Sequence, residues 1–228
     1  MHRFAPLFAS VALFVATPAV PQAPPSRTVL VQAGQLLDRP GHAARGPSTI
    51  VIRDGRVVEV RSGHAGADLA EFAGAEVIDL RGRFVLPGLI DSHVHLTTDT
   101  GGVAAQLEQV QLSPAAKAYN ALVNARKTLA AGFTTVRNLG DRDGVTLALR
   151  DAVRAGKVVG PGIVDAGASI STTAGHMDAA LGFRDDLRDA LDRDENLCDG
   201  ADACRRAVRL QVARGVDVIK IATTGGVN

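Results

Sequence analysis

Tryptophan is absent from this chain, tyrosine occurs once, and aromatic residues make up 4% of its 228 positions. No basic stripe interleaved with aromatics occurs, so the pattern of a nucleic-acid binder is missing. Charge of one sign is equally scarce: 25 Lys and Arg face 24 Asp and Glu, a net charge of +1 that selects no partner. Cysteine occurs only twice, in "ENLCDGADACRRAV". With no second Cys or His pair close by, Cys198 and Cys204 make poor zinc ligands. They flank a turn that leads into a helix. In an oxidising compartment the expected product is a disulfide worth roughly 2 kcal/mol for so small a loop. Spacing alone fixes no pairing, and free thiols remain the alternative.

What is present is a core. Apolar residues make up 46% of the chain, enough for one large domain or two small ones. Residues 1–23 stand apart from it. "MHRF" is a short basic start, "LFASVALFVATPAV" is apolar, and small residues suited to cleavage follow near Ala19 or Ala23. The apolar stretch is shorter than the ~20 residues that span a bilayer, so it reads as a secretory signal. The expectation is export to the periplasm or beyond, without stable membrane insertion after cleavage. An uncleaved anchor is the alternative.

Residues 24–83 open with a Pro-rich linker and then alternate apolar and polar side chains, as half-buried strands do. "RDGR", between Ile52 and Val57, signals a tight hairpin. This part is expected to be a small β-sandwich, with His42 and His64 in solvated loops.

From Phe84 the period changes. "SPAAKAYNALVNARKTLAAG" has Ser113 as N-cap, Pro114 at the first helical position and Gly132 past its end. "FTTVRNLG" is a short strand. "GVTLALRDAVRAG" puts Val145, Ala148, Leu149, Ala152 and Val153 on one helical face. "PGIVDAGASIS" is a strand, "ADACRRAVRLQVARG" a helix with Cys204, Ala207, Val208 and Val212 inward, and "VDVIKIATTGG" a last strand. Strands alternating with helices make a parallel sheet, either an open doubly wound sheet or a (β/α)8 barrel. The first strand–helix junction has no glycine-rich phosphate loop, and ligand-type residues sit at the carboxyl ends of strands, where barrel enzymes keep their chemistry. The barrel is favoured. A barrel takes about 250 residues, so residues 84–228 read as its first four β/α units.

Those ligand-type residues begin in "LPGLIDSHVHL". Alternation along a strand puts Asp91, His93 and His95 on one face, and two adjacent imidazoles suit a borderline ion such as zinc. Lys220 stands in "VDVIKIAT" on the face opposite Ile219 and Ile221. If those isoleucines pack on the helices, Lys220 points into the barrel, where a bare ammonium is costly. A buried lysine loses its proton readily, and the neutral amine can take up carbon dioxide as an anionic carbamate. The alternative is a lysine whose tip reaches water.

"FVLPGLIDSHVHL", "AGFTTVRNLG", "GASISTTAGHMD" and "GVDVIKIATTGGV" together resemble the successive strand signatures of the amidohydrolase superfamily, closest to its imidazolonepropionase-like and Xaa-Pro dipeptidase-like members. The resemblance implies a (β/α)8 barrel with a β-sandwich drawn from both chain ends. It implies one or two divalent metals such as Zn2+, held by His93, His95 and a carbamylated Lys220. Asp91 supports that site, and His176 and the weaker candidate Arg137 lie near the substrate. Where the family usually has Asp after that arginine, this chain has Asn138. The proton-shuttling Asp of a late strand is not among these residues.

The implied activity is metal-assisted hydrolysis of C–N bonds in dipeptides or small cyclic amides, with no complete catalytic set in these 228 residues. An ester or lactone hydrolase on the same fold, or a non-catalytic half-barrel binding protein, are the alternatives. Homo-oligomerisation is left open.

Overall fold

The computed structural model describes residues 26–191 and 196–225, with the side chains of 189–191 left aside. The expected secretory signal, residues 1–23, lies outside them. The chain divides into two compact units, one ending at Pro87 and one beginning at Gly88.

The first unit is one four-stranded sheet in the order β3-β2-β1-β4. Its strands are β1 (Thr28–Leu36), β2 (Ser48–Arg53), β3 (Arg56–Ser62) and β4 (Glu76–Val85). The "RDGR" hairpin forms as expected: Asp54 and Gly55 have φ of 50° and 77°, the two left-handed residues that a twisted two-residue turn requires. A 3-10 turn at Ala70–Phe72 lays Phe72 on Leu30 and Val51, making the unit's buried cluster. Full burial of each such side chain contributes about 1.5–3 kcal/mol.

Only one layer of the expected sandwich is present among the described residues. The sheet also reaches past residue 83, because Phe84 and Val85 pair with Gln35 and Leu36 of β1. Of the two loop histidines, His64 is not merely solvated: a ring nitrogen lies 2.9 Å from the Ala33 carbonyl oxygen.

In the second unit, β5 (Leu89–Val94), β6 (Phe133–Asn138) and β7 (Gly162–Asp165) run parallel in that order. Leu96, Val136 and Ile163 pack with Ala121 and Ala125 of α2 (Pro114–Ala130) and Val145 and Leu149 of α3 (Val145–Arg154). Ser113 caps α2 as expected, its hydroxyl accepting the Ala116 N–H at 3.3 Å.

The "PGIVDAGASIS" run is broken in two. β7 ends at Asp165, and β8 (Ile170–Ser171) pairs instead with β9 (Ile221–Ala222). At the break, the Asp141 N–H takes the Gly167 carbonyl and the Gln211 amide oxygen takes the Ala168 N–H, removing both from a ladder.

Two helices lacked a sequence signal. α1 (Gly102–Gln111) has no side-chain cap and no buried residue, and its apolar side chains Val103, Leu107 and Val110 face solvent. α4 covers Asp185–Leu191 and is short. On α3 the expected face turns: Ala148 is exposed, while Thr146, Leu147 and Arg150 are buried. On α5 (Ala201–Ala213), Ala207 and Gln211 are buried and Val212 is exposed, because Gln211 is drawn in to reach Ala168. No helix among the described residues is long and apolar enough to cross a membrane.

Candidate metal centre

The β5–β6 ladder shifts register between Leu89 and Ile90 and again after Asp91, resuming at Val94 opposite Asn138, so Ser92 and His93 sit in the second irregularity, a bulge. Local chemistry builds that bulge. The Asp91 carboxylate accepts the His93 N–H at 3.0 Å, and the Arg137 guanidinium donates to the Ser92 carbonyl at 2.8 Å. Both residues therefore replace missing ladder bonds. Arg137, expected beside the substrate, is engaged on the backbone of β5. Asp91 supports His93 through the main chain, with no bond to either ring.

Two residues beyond the strand, Leu96 is tied back: its N–H donates to the Asn138 side-chain oxygen at 3.0 Å. Asn138 is fully buried, and its amide nitrogen faces Thr146 Oγ1 at 3.0 Å and Asp165 Oδ2 at 3.5 Å. The neutral residue that breaks the sequence pattern is thus the one that fixes the chain at His95.

The rings of His93 and His95 lie with centroids 5.4 Å apart and planes tilted by 58°. Two imidazoles bound to one ion at about 2.0–2.1 Å, near a tetrahedral angle, would have their centres roughly 5 Å apart. The pair fits a shared ion. Burial is the main cause that holds the His95 pKa below its ordinary value; a Gly140 backbone bond opposes it, and the charges of His93, Lys220 and His176 add to it. A depressed pKa favours the neutral ring, the form that binds a metal. His93, Lys220 and His176 each lie within electrostatic reach of His95.

Gly140 has a steric role as well. A Cβ there would stand 3.0 Å from His95 Cε1 and 3.2 Å from Nδ1. Gly140→Ala is expected to push the ring off its place and weaken metal affinity about 10-fold or more, the scale of lost outer-sphere support. Isothermal titration with Zn2+ is the check.

Lys220 reaches this end of the strands by a different route from the one expected. Residues 216–220 are not in a ladder, and only Ile221–Ala222 pair as β9. Asp217 stands in for the missing bonds. Its Oδ2 accepts the Asp165 N–H at 3.0 Å and Arg150 Nη1 at 3.0 Å, and its own N–H donates to the Asp165 carbonyl at 2.8 Å. Ile219 packs against Ile170, Cys198 and Ala207 as the alternation required, but Ile221 is 58% exposed. Lys220 itself is half-buried, and its carbonyl accepts the Ile170 N–H at 2.9 Å.

His176 follows β8 in a loop whose backbone N–H donates to the Thr224 carbonyl at 3.3 Å, just past β9. The Asp178 carboxylate gathers the Ala174 and Ala180 N–H groups at 2.8 and 2.9 Å and so closes that loop. Cys198 and Cys204 form a disulfide.

Among the described residues the candidate donors are two imidazoles and one lysine, and no cluster of three or more His, Cys, Asp or Glu occurs. The imidazole pair fits an ion. An unmodified ammonium beside it does not, because it carries the same sign.

The family model for the amidohydrolase family matches residues 84–228. This chain belongs to the amidohydrolase family. Among curated amidohydrolase relatives, ochratoxinase from Aspergillus niger is 30% identical over 214 residues, covering 89% of this chain and 43% of its own length. Imidazolonepropionase from Methylobacterium nodulans is 36% identical over 114 residues, covering 49% of this chain and 26% of its own. A solved Xaa-Pro dipeptidase with methionine bound in its active site superimposes with a TM-score of 0.77 at 35% identity, over 88% of this chain and 48% of that one. This amidohydrolase chain therefore spans less than half the length of those relatives.

Proposed function

We propose that this protein is a metal-dependent hydrolase of C–N bonds, acting on dipeptides or small cyclic amides. One observation carries the reading: the rings of His93 and His95 are paired 5.4 Å apart, with Lys220 and His176 within electrostatic reach of His95. The names of its relatives support the bond type, since an Xaa-Pro dipeptidase and an imidazolonepropionase are among them. The strands of the second unit are read as the first part of a (β/α)8 barrel, in which catalytic groups gather at the carboxyl ends of strands.

The chemistry a divalent ion of the zinc type supplies in such a site is Lewis acidity and a water made acidic near pH 7. This chain's own residues prepare for it. His93 and His95 offer two neutral imidazoles, and Gly140 holds the second in place. Lys220 is assigned a carbamate: the ammonium loses one proton to solvent, the neutral amine attacks carbon dioxide, an N–C bond forms as one C–O π bond opens onto oxygen, and a second proton leaves to solvent. The charge at that position changes from +1 to −1, which removes the repulsion between an ammonium and a cation at the histidines. His176, exposed beside Thr224, is free to meet a substrate carbonyl or carboxylate. Export fits this picture too, because the Cys198–Cys204 disulfide suits an oxidising compartment.

The test is to express the gene's whole reading frame, measure metal by plasma mass spectrometry, and assay a panel of Xaa-Pro dipeptides, N-acyl amino acids and cyclic ureides. Metal bound with C–N hydrolysis supports the proposal. A metal-replete protein that cleaves only esters and lactones overturns the bond assignment.

A further inference from the structure

We infer that Asn196 and Arg142 are positioning residues for His176, and that the Cys198–Cys204 disulfide holds that brace in place. The inference rests on the proposed role of His176 at the substrate.

Asn196 is 2% exposed and makes its contacts with both ends of its amide. Its nitrogen donates to the Ser169 carbonyl at 2.9 Å and to the Met177 carbonyl at 3.3 Å. Its oxygen accepts Arg142 Nη2 at 2.7 Å, and the same Nη2 donates to the Met177 carbonyl at 3.2 Å. The Met177 carbonyl, one residue past His176, therefore receives two donors that are also bonded to each other. That fixes the Met177–Asp178 peptide plane, and the Met177 N–H, in the plane that adjoins the His176 Cα, donates to Ser171 Oγ at 3.4 Å. On its other side the His176 N–H is fixed by Thr224.

The brace needs an anchor of its own, since residues 196–198 form no named strand. Two backbone bonds attach them to β8: Ser171 N–H to the Asn196 carbonyl at 2.9 Å, and Cys198 N–H to the Ser171 carbonyl at 2.8 Å. The covalent link from Cys198 to Cys204 adds the first turn of α5, whose Ala207 packs with Cys198 and Ile170. Removing the link leaves a short segment held by hydrogen bonds and the small Cys198 cluster with no covalent tie, and such segments open more often than their surroundings.

The full-length protein is compared in oxidised and phosphine-reduced form by hydrogen-exchange mass spectrometry. Reduction is expected to speed exchange roughly 30-fold at Ser171, Met177 and Cys198, the loss expected for a small-loop disulfide, while Asn138 and Val164 keep their rates. Unchanged exchange around Met177, or equal acceleration throughout the second unit, overturns the brace. A second measurement uses Asn196→Asp, which keeps the acceptor for Arg142 and loses both donors. Its KM for methionyl-proline is expected to rise about 10-fold with kcat within 3-fold and metal content intact. Equal KM, or metal lost together with rate, overturns the positioning role. If the unaltered protein cleaves no amide, the hydrolase reading fails by itself, and the exchange measurement still decides the brace.

Discussion

Lys220→Ala in the full-length protein is expected to lower metal affinity by more than 100-fold and to abolish most turnover. Loss of an outer-sphere partner costs 10–100-fold, and the proposed carbamate is a direct ligand. Alanine also removes the positive charge beside His95, one of the causes that holds its pKa down. If Lys220 acted only as a cation, its removal would ease metal entry and affinity would rise. The two accounts thus predict opposite signs. Lys220→Arg separates them further, because a guanidinium keeps the charge and forms no carbamate; it should fail as alanine does. Metal uptake by metal-stripped protein should also slow when carbon dioxide is purged and recover with bicarbonate. Unchanged metal content in Lys220→Ala would remove the carbamate and favour a binding module over an enzyme.

Asp217→Ala should produce a large loss of stability in the second unit, up to about 3 kcal/mol, because it leaves the buried Arg150 guanidinium without its partly exposed partner. The side chain of Arg150 is 7% exposed, and without Asp217 it keeps only Asp151 and the Gly215 carbonyl. A loss of that size lowers the melting temperature by roughly 6–12 °C in a domain of this size. Arg154→Ala, at the 54%-exposed partner of the same carboxylate, should cost less than about 1 kcal/mol. Calorimetry distinguishes the two.

The pH dependence carries a sign. Burial works against ionisation of Asp217, yet the Asp165 N–H and the two guanidinium groups outweigh it and hold its pKa below the ordinary 3.8. Its contribution is present above pH ~4 and is lost as pH falls through the depressed value. Asp165 runs the other way. Burial raises its pKa against the Thr146 and Gly167 bonds, so its contribution is present in acid and is lost as pH rises through the raised value. Melting temperature against pH should lose part of its acid limb in Asp217→Ala; a curve parallel to the parent's would sink this account.

Much of the molecule was legible in the residues. The Asp54-Gly55 turn and the Ser113 cap are local features, and local features survive folding. What stayed hidden depends on distant partners. Arg137 looks like a substrate ligand until Ser92, on the neighbouring strand, proves to need a donor. Asn138 looks like a lost charge until Leu96, Thr146 and Asp165 surround it. The alternation that put Lys220 inside assumed a continuous strand, whereas a carboxylate three residues earlier carries the bonds there. Gln211 gave no signal at all, because a glutamine on a helix commonly faces water.

The amide at position 138 also constrains how this protein can change. Its nitrogen lies 3.5 Å from the carboxylate of Asp165, which is sealed from solvent. Two acids at that distance cannot both ionise. A lineage that restores aspartate at 138 must therefore neutralise 165 in the same step or hold a shared proton there, so the two sites can drift only as a matched pair.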